Sequence, residues 1–476
     1  MSAFLIAMLL AAAPQATTDS NTTPNASSPP PAAPAAPSTN AAPITLEEAR
    51  REGRKNTQAL LSLLDLERAQ QDIRISRSAL LPQVDLSASA GAGYSGASRT
   101  TTYVEDSGTG VFVPVTVNAP SATSRNYNLS LNLSQVIYDR ARWKQLAQSG
   151  AAAEAQRGQT SDQEDASELE AINRFYNLYR SQATIQVLEA TVQRSEEQLE
   201  RARALFQAGR VGRGEELTAL VNLGNDRITL MQRRGQLALD QSQLATWLAR
   251  PGAQPLMAQD PGLRDMELGP VPSLEAALAE ARGRRPLIHA LQEQVRASQL
   301  ARDVATSGYF PRVLGQGSYS RQGSSTRQEL PDGSIGTRPI LQNGLTGAVV
   351  LQWDLFSGFA TQAQAARAAA TVRTAELNLA QAERDLDGTV RSAIETLAAN
   401  IEATRLAAAN REVAVQSLSL AEERFKAGAG STLEVRDAQL SLTRAELALL
   451  ENRVSVEVAR FALMRAIGTL SSGESK

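Results

Sequence analysis

Tyr127-Asn128-Leu129-Ser130-Leu131-Asn132-Leu133-Ser134 decides the fold. Large apolar side chains alternate with amides and hydroxyls. Successive strand side chains point to opposite faces, so the segment has one apolar and one hydrophilic face. Such a strand suits a barrel wall with lipid outside and water inside, and suits an amphipathic antiparallel sheet as well. Recurrence favours the barrel. From Leu345 to Phe356, Val349, Leu351, Trp353 and Leu355 share one face, and Thr346, Gln352 and Asp354 the other. A weaker strand alternates Val84, Leu86 and Ala88 with Asp85, Ser87 and Ser89. Tyr94, Tyr127, Tyr138, Tyr309, Tyr319 and Trp353 lie within or beside the strands, where interfacial aromatics belong.

Outward from these strands, the chain repeats itself. Residues 44–250 and 273–470 carry the same order of features, joined by a Pro- and Gly-rich linker, 251–272. Each repeat opens with a helical stretch, Leu46 to Ala79 and Leu274 to Ser307. Each stretch stops at a tetrad, Leu81-Pro82-Gln83-Val84 and Phe310-Pro311-Arg312-Val313, because proline disfavours helix before it and donates no hydrogen bond. Gly/Ser/Thr/Tyr-rich chain follows. Ser95 to Arg125 and Arg321 to Asn343 read as long exposed loops between paired strands.

A long helix, a tight turn and a second long helix complete each repeat. Asp139 to Phe206 and Gly358 to Phe425 each span 68 residues. At about 1.5 Å per residue, each reaches ~100 Å. Within the second, Val372, Ala375, Leu379, Ala382, Leu386, Val390, Ile394, Leu397 and Ile401 recur at steps of three and four, a coiled-coil-like seam. The turns are Phe206-Gln207-Ala208-Gly209 and Phe425-Lys426-Ala427-Gly428, where glycine ends a helix by accepting positive φ. Ser431-Thr432-Leu433-Glu434 then starts a helix with a capping-box pattern.

Composition narrows the classes. The chain is 42% hydrophobic but 4% aromatic, and its formal charge of -2 gives no basic excess for nucleic acid. There is no cysteine, hence no disulfide, thiolate site or lipoprotein anchor. Residues 1–16 read as a signal peptide lacking the usual basic start, and 17–43 as a Pro/Ala/Thr/Ser-rich disordered linker. Residues 471–476 form a tail. No segment holds the ~18 consecutive apolar residues of a spanning helix, so membrane insertion requires a barrel. Nucleotide-binding and nucleophile motifs are missing. The single histidine, His289, reads as solvated or packed rather than metal-bound, and no cofactor is expected.

The duplicated order, the Leu81-Pro82-Gln83-Val84 tetrad, and Phe425-Lys426-Ala427-Gly428 followed by Leu433-Glu434-Val435-Arg436-Asp437-Ala438-Gln439-Leu440 resemble the TolC-type outer-membrane efflux protein family, the outer membrane factors. The resemblance spans roughly Ile44 to Leu470. It implies a mainly α fold with a membrane β-barrel. Long α-helical hairpins form a trimeric α-barrel tunnel, and four β-strands per chain contribute to a shared twelve-stranded barrel. Four strands cannot close a barrel alone, which fits a homotrimer. It further implies a passive exit duct in the outer membrane of a Gram-negative bacterium, with its tunnel in the periplasm. The duct would serve a periplasmic adaptor protein and an inner-membrane pump in expelling small molecules.

The resemblance also assigns residues. Glu434 and Asp437 match acidic positions that ring the closed pore, although acidic residues also suit a first helical turn. Glu215 matches a position tying neighbouring helix pairs together. The tips Ala208, Gly209, Arg210, Ala427, Gly428 and Ala429 match adaptor docking points. Where some members carry a basic locking residue, this chain has Gly430. Two other functions fit parts of the sequence. An exit duct for type I protein secretion would look the same, and a structural surface coiled-coil protein would explain the helices but not the strands. A periplasmic adaptor would need a lipoyl-like β-domain, for which there is no sign.

Overall fold

The computed structural model describes residues 41–105, 107–108, 110–250, 255–263, 270–329 and 334–470. The signal peptide, nearly all of the Pro-rich linker, the tail and part of the 251–272 linker lie outside these residues. One compact unit spans Ala42 onward. Its elements are β1 (Ala42–Ile44), α1 (Leu46–Gly53), α2 (Thr57–Ser78), β2 (Gln83–Ser95), β3 (Ser98–Glu105), β4 (Phe112–Ala119), β5 (Ala122–Tyr138), α3 (Arg140–Gln207), α4 (Arg213–Trp247), β6 (Leu256–Ala258), α5 (Leu274–Arg284), α6 (Pro286–Thr306), β7 (Arg312–Glu329), β8 (Ile335–Gln352), α7 (Ala360–Lys426) and α8 (Thr432–Ile467).

The main sheet has the order β2-β5-β7-β8, every neighbour antiparallel. Its register keeps the two faces apart. Leu86, Leu131, Tyr319 and Leu345 fall in one row, and Asp85, Asn132, Ser318 and Thr346 in the adjacent row of the opposite face. On the hydrophilic face Ser318 and Thr346 hydrogen-bond across strands at 2.7 Å. On the other, Leu345 is 83% exposed in the single chain, part of an uncovered apolar surface of the kind that meets lipid or a partner.

The strands run longer than the sequence suggests. The expected loop from Ser95 to Arg125 is instead a hairpin, β3–β4, that continues the β2–β5 ladder outward. Val113, Val115 and Val117 alternate there, and Thr-rich β3 pairs with them. Likewise β7 and β8 fill most of Arg321 to Asn343 and pair as far as Glu329 with Ile335. The strands of 13, 17, 18 and 18 residues exceed the roughly 9–11 that suffice to cross a bilayer.

Each opening helical stretch is two helices rather than one. Asn56 interrupts the first, its Oδ1 accepting from the Ala59 N–H at 2.8 Å as an N-cap. Pro286 begins a new helix in the second. β8 stops at Gln352, so Trp353 and Leu355 lie beyond the strand. The Trp353 indole N–H donates to the Tyr309 carbonyl at 3.2 Å. Gly358 and Phe359 are both left-handed, which delays α7 to Ala360.

The core concentrates halfway along α3. Ile44, Ile172, Phe175, Tyr176, Leu244 and Leu256 join β1, α3, α4 and β6 in one cluster. β1 and β6 pair in parallel although 214 positions separate Ala42 from Leu256, and Ala42 and Pro43 of the presumed linker enter that strand. The α7 seam packs against α5 and α8, with Leu386, Val390, Leu397 and Ile401 buried. Towards their turns, α3/α4 and α7/α8 form two helical hairpins with narrow cores of their own.

Candidate functional site at the hairpin tips

Both hairpins turn in the same way. Gly209 (φ 70°) and Gly428 (φ 74°) are left-handed. The next residue donates its N–H back five positions, Arg210 to Leu205 at 2.9 Å and Ala429 to Arg424 at 2.8 Å, which closes a Schellman cap. Ala208, Gly209, Arg210, Ala427, Gly428 and Ala429 are all exposed. Gly430 is different. A Cβ there would lie 3.0 Å from the Phe425 nitrogen, so a side chain would require the backbone of the turn to give by a few tenths of an ångström.

The expected acidic residues sit just beyond the second tip. Ser431 Oγ accepts from the Glu434 N–H at 3.2 Å, as an N-cap should. The Glu434 carboxylate turns to Arg424 of the same hairpin, 3.6 Å away, with both partners about half exposed. Asp437 is exposed and has no ion-pair partner among the described residues. On the other hairpin, Glu215 accepts a hydrogen bond from the Thr432 hydroxyl, bridging α4 to the start of α8.

A stronger bridge lies one turn further. Arg436 on α8 forks onto Asp226 on α4, Nη1 to Oδ2 at 2.8 Å and Nη2 to Oδ1 at 2.9 Å. Ser195 on α3 accepts from the same Nη1 at 3.1 Å and donates to Asp226 Oδ2. The two charged side chains are only 14% and 12% exposed. A bidentate, largely dry pair of this kind is strong and directional. Sequence reading quoted Arg436 without giving it a role and missed Asp226. The two stand 210 positions apart, and no local spacing connects them. Higher up, the Thr191 and Thr443 hydroxyls meet at 3.0 Å, and Arg194 lies 3.7 Å from Glu446. The two hairpins are thus stitched along α3 and α8 and pinned near their tips.

His289 is exposed, its Nε2 3.0 Å from the Gly283 carbonyl oxygen. Among the described residues no cluster of His, Cys, Asp or Glu has the geometry of a metal site, and no helix is long and apolar enough to cross a membrane.

The family model for outer membrane efflux proteins matches residues 54–250 and 277–469, most of the chain. The chain belongs to the outer membrane efflux protein family. Outer membrane efflux protein BepC from Brucella suis biovar 1 (strain 1330) is 25% identical over 359 residues, covering 73% of each chain. The Campylobacter jejuni CmeC outer membrane channel superposes with a TM-score of 0.69 at 17% identity, over 89% of this chain and 86% of that one. The Vibrio cholerae outer membrane protein VceC gives 0.67 at 16% identity, over 89% and 96%. Members of this family are outer-membrane efflux channels. This member places its sheet in the outer membrane and its helical hairpins in the periplasm. The two matched stretches coincide with the two hairpin-bearing halves of the fold.

Proposed function

We propose that three copies of this chain close one passive exit duct with no enzymatic chemistry. The duct docks to a periplasmic adaptor and an inner-membrane pump, which supplies the energy, and expels small molecules such as drugs and toxic compounds. A match between two exposed seams carries the assembly. On α7, Leu406, Val413 and Leu420 are 59%, 64% and 58% exposed at heptad spacing. They stand 22, 15 and 8 residues before Gly428. On α4, Leu217, Gly224 and Met231 repeat the heptad, 8, 15 and 22 residues after Gly209. Leu217 and Met231 are about half exposed, and nothing lies within 4 Å of a Cβ built at Gly224. Set antiparallel with tips level, α7 of one copy therefore faces α4 of the next, Leu420 to Leu217, Val413 to the gap at Gly224, and Leu406 to Met231. The seams are different surfaces, so the contact is head-to-tail and closes a ring. The sheet supports the same ring. Its edge strands β2 and β8 run in opposite directions, so β8 of one copy continues antiparallel onto β2 of its neighbour.

In this assembly Glu434 and Asp437 of three copies ring the inner mouth and favour cations. The Arg436–Asp226 pin and the Glu215–Thr432 bridge hold the hairpins in the closed arrangement, taking the place of a basic residue at Gly430. The tips Ala208-Gly209-Arg210 and Ala427-Gly428-Ala429 offer bare backbone for an adaptor hairpin. Reconstitution in planar bilayers tests the duct. A species of trimer mass giving stepwise single-channel currents is expected, and a monomer without conductance refutes the proposal.

A further inference from the structure

The outward face of the sheet can be followed row by row above its apolar band. Above the Leu131 row, Leu129 pairs with Arg321. Above that, Tyr127 pairs with Gly323, Arg125 with Ser325, and Thr123 with Arg327. Arg321, Arg125 and Arg327 therefore share the face that carries Leu86, Leu131 and Leu345. All three are exposed, and none forms an ion pair among the described residues. From the Leu351 row to the Thr123 row, no described residue on this face is acidic.

Arg125 and Arg327 are diagonal neighbours, which puts their backbones roughly 7–8 Å apart on one face. Two arginine side chains based that close on one exposed face can both reach an anion set between them. Arg321 stands two residues below Tyr127, within reach of the same level by extending its stem upward along apolar surface. Tyr127 is fixed between them. Its ring covers Gly323 so closely that a Cβ there would fall 2.2 Å from it. The arrangement is an amphipathic ring at the top of a lipid-facing band, bracketed by forks that match phosphate geometry.

We infer that Arg125, Arg327 and Arg321 form a binding site for the phosphate groups of anionic lipids in the outer leaflet. An aqueous partner does not fit, because the row of Tyr127 and Leu341 beneath the Arg125–Arg327 pair belongs to the apolar band. The inference rests on the outer-membrane duct reading. The test is native mass spectrometry of the full-length trimer in detergent with phosphatidic acid or phosphatidylcholine. The wild type should retain phosphatidic acid about tenfold over phosphatidylcholine, the fold-change of one added hydrogen bond between charged groups. R125Q with R327Q should lose that preference, and R125K with R327K should recover part of it. R338Q, at similar height on the opposite face, should retain it. Preference surviving in the double glutamine variant, loss in R338Q, or displacement of the lipid by millimolar inorganic phosphate would each overturn the site. Wild-type conductance separates the two readings. Channels without lipid preference sink this site alone, and absent channels sink the duct and the site together.

Discussion

Arg436→Met keeps the stem of the side chain and removes its fork. Asp226, 12% exposed, is then left with the Ser195 hydroxyl as its partner. Breaking a buried ion pair by removing one member costs 3–5 kcal/mol, and the small wet fraction here places the value near the lower end, about 3 kcal/mol. If the pin exists only in the closed arrangement, this loss falls on the closed state. The open-to-closed ratio then rises about a hundredfold per subunit. Single-channel recording of the reconstituted trimer measures it as shortened closed dwell times. Asp226→Asn should act in the same direction, and the exchange R436D with D226R should recover closed dwells, because the pair is restored with its charges reversed. The reasoning fails if R436M and D226N are trimeric and gate like the wild type. It fails equally if the exchange behaves as the sum of its single changes, since that means no coupling between the partners.

Val413→Asp places a charge in the proposed α7–α4 seam and should convert trimer to monomer by light scattering; a trimer of unchanged stability would remove the seam. Replacing Glu434 and Asp437 with Ala should lower cation over anion permeability, read as a shifted reversal potential in a salt gradient. Ala427→Trp should abolish adaptor binding in a pull-down while the trimer persists, because Ala427 is exposed and has ordinary helical backbone; undiminished binding would free the tip of a docking role. Burial raises the carboxyl of Asp165 above its ordinary 3.8, against the pull of Arg54, and the side chain is 2% exposed. Its charged form therefore costs stability at neutral pH, a cost that fades as pH falls through the raised folded value towards 3.8. Asp165→Asn should melt higher than wild type at pH 7 and lose that advantage in acid; a lower melting point at pH 7 would mean its arginine neighbours outweigh burial.

What the sequence disclosed was whatever repeats at short range. The alternation around Leu129, the α7 seam from Val372 to Ile401 and the two glycine turns depend on spacings of two, three, four or seven, and each has its counterpart in the fold. The β3–β4 extension was open to reading in Val113, Val115 and Val117, but Thr, Ser and Gly around them suggested loop. β1 and β6, three residues each, carry too little pattern to register and pair only because the core midway along α3 brings their chains together. The pin was hidden for the same reason. Arg436 and Asp226 resemble surface charges on amphipathic helices until two hairpins are laid side by side.

The unpaired edges of β2 and β8 also bear on inheritance. In the proposed trimer, a subunit that folds its own four strands and keeps its seam but carries a damaged pin or tip still offers both edges to its neighbours. In a cell making intact and damaged chains equally, random assembly in threes leaves only about one duct in eight wholly intact. Variants that spare both the sheet and the seam should therefore behave as dominant, poisoning the normal copies they join. Variants that ruin the sheet never reach the ring and should be recessive. A merodiploid strain scored for drug sensitivity would sort the two classes without purifying anything.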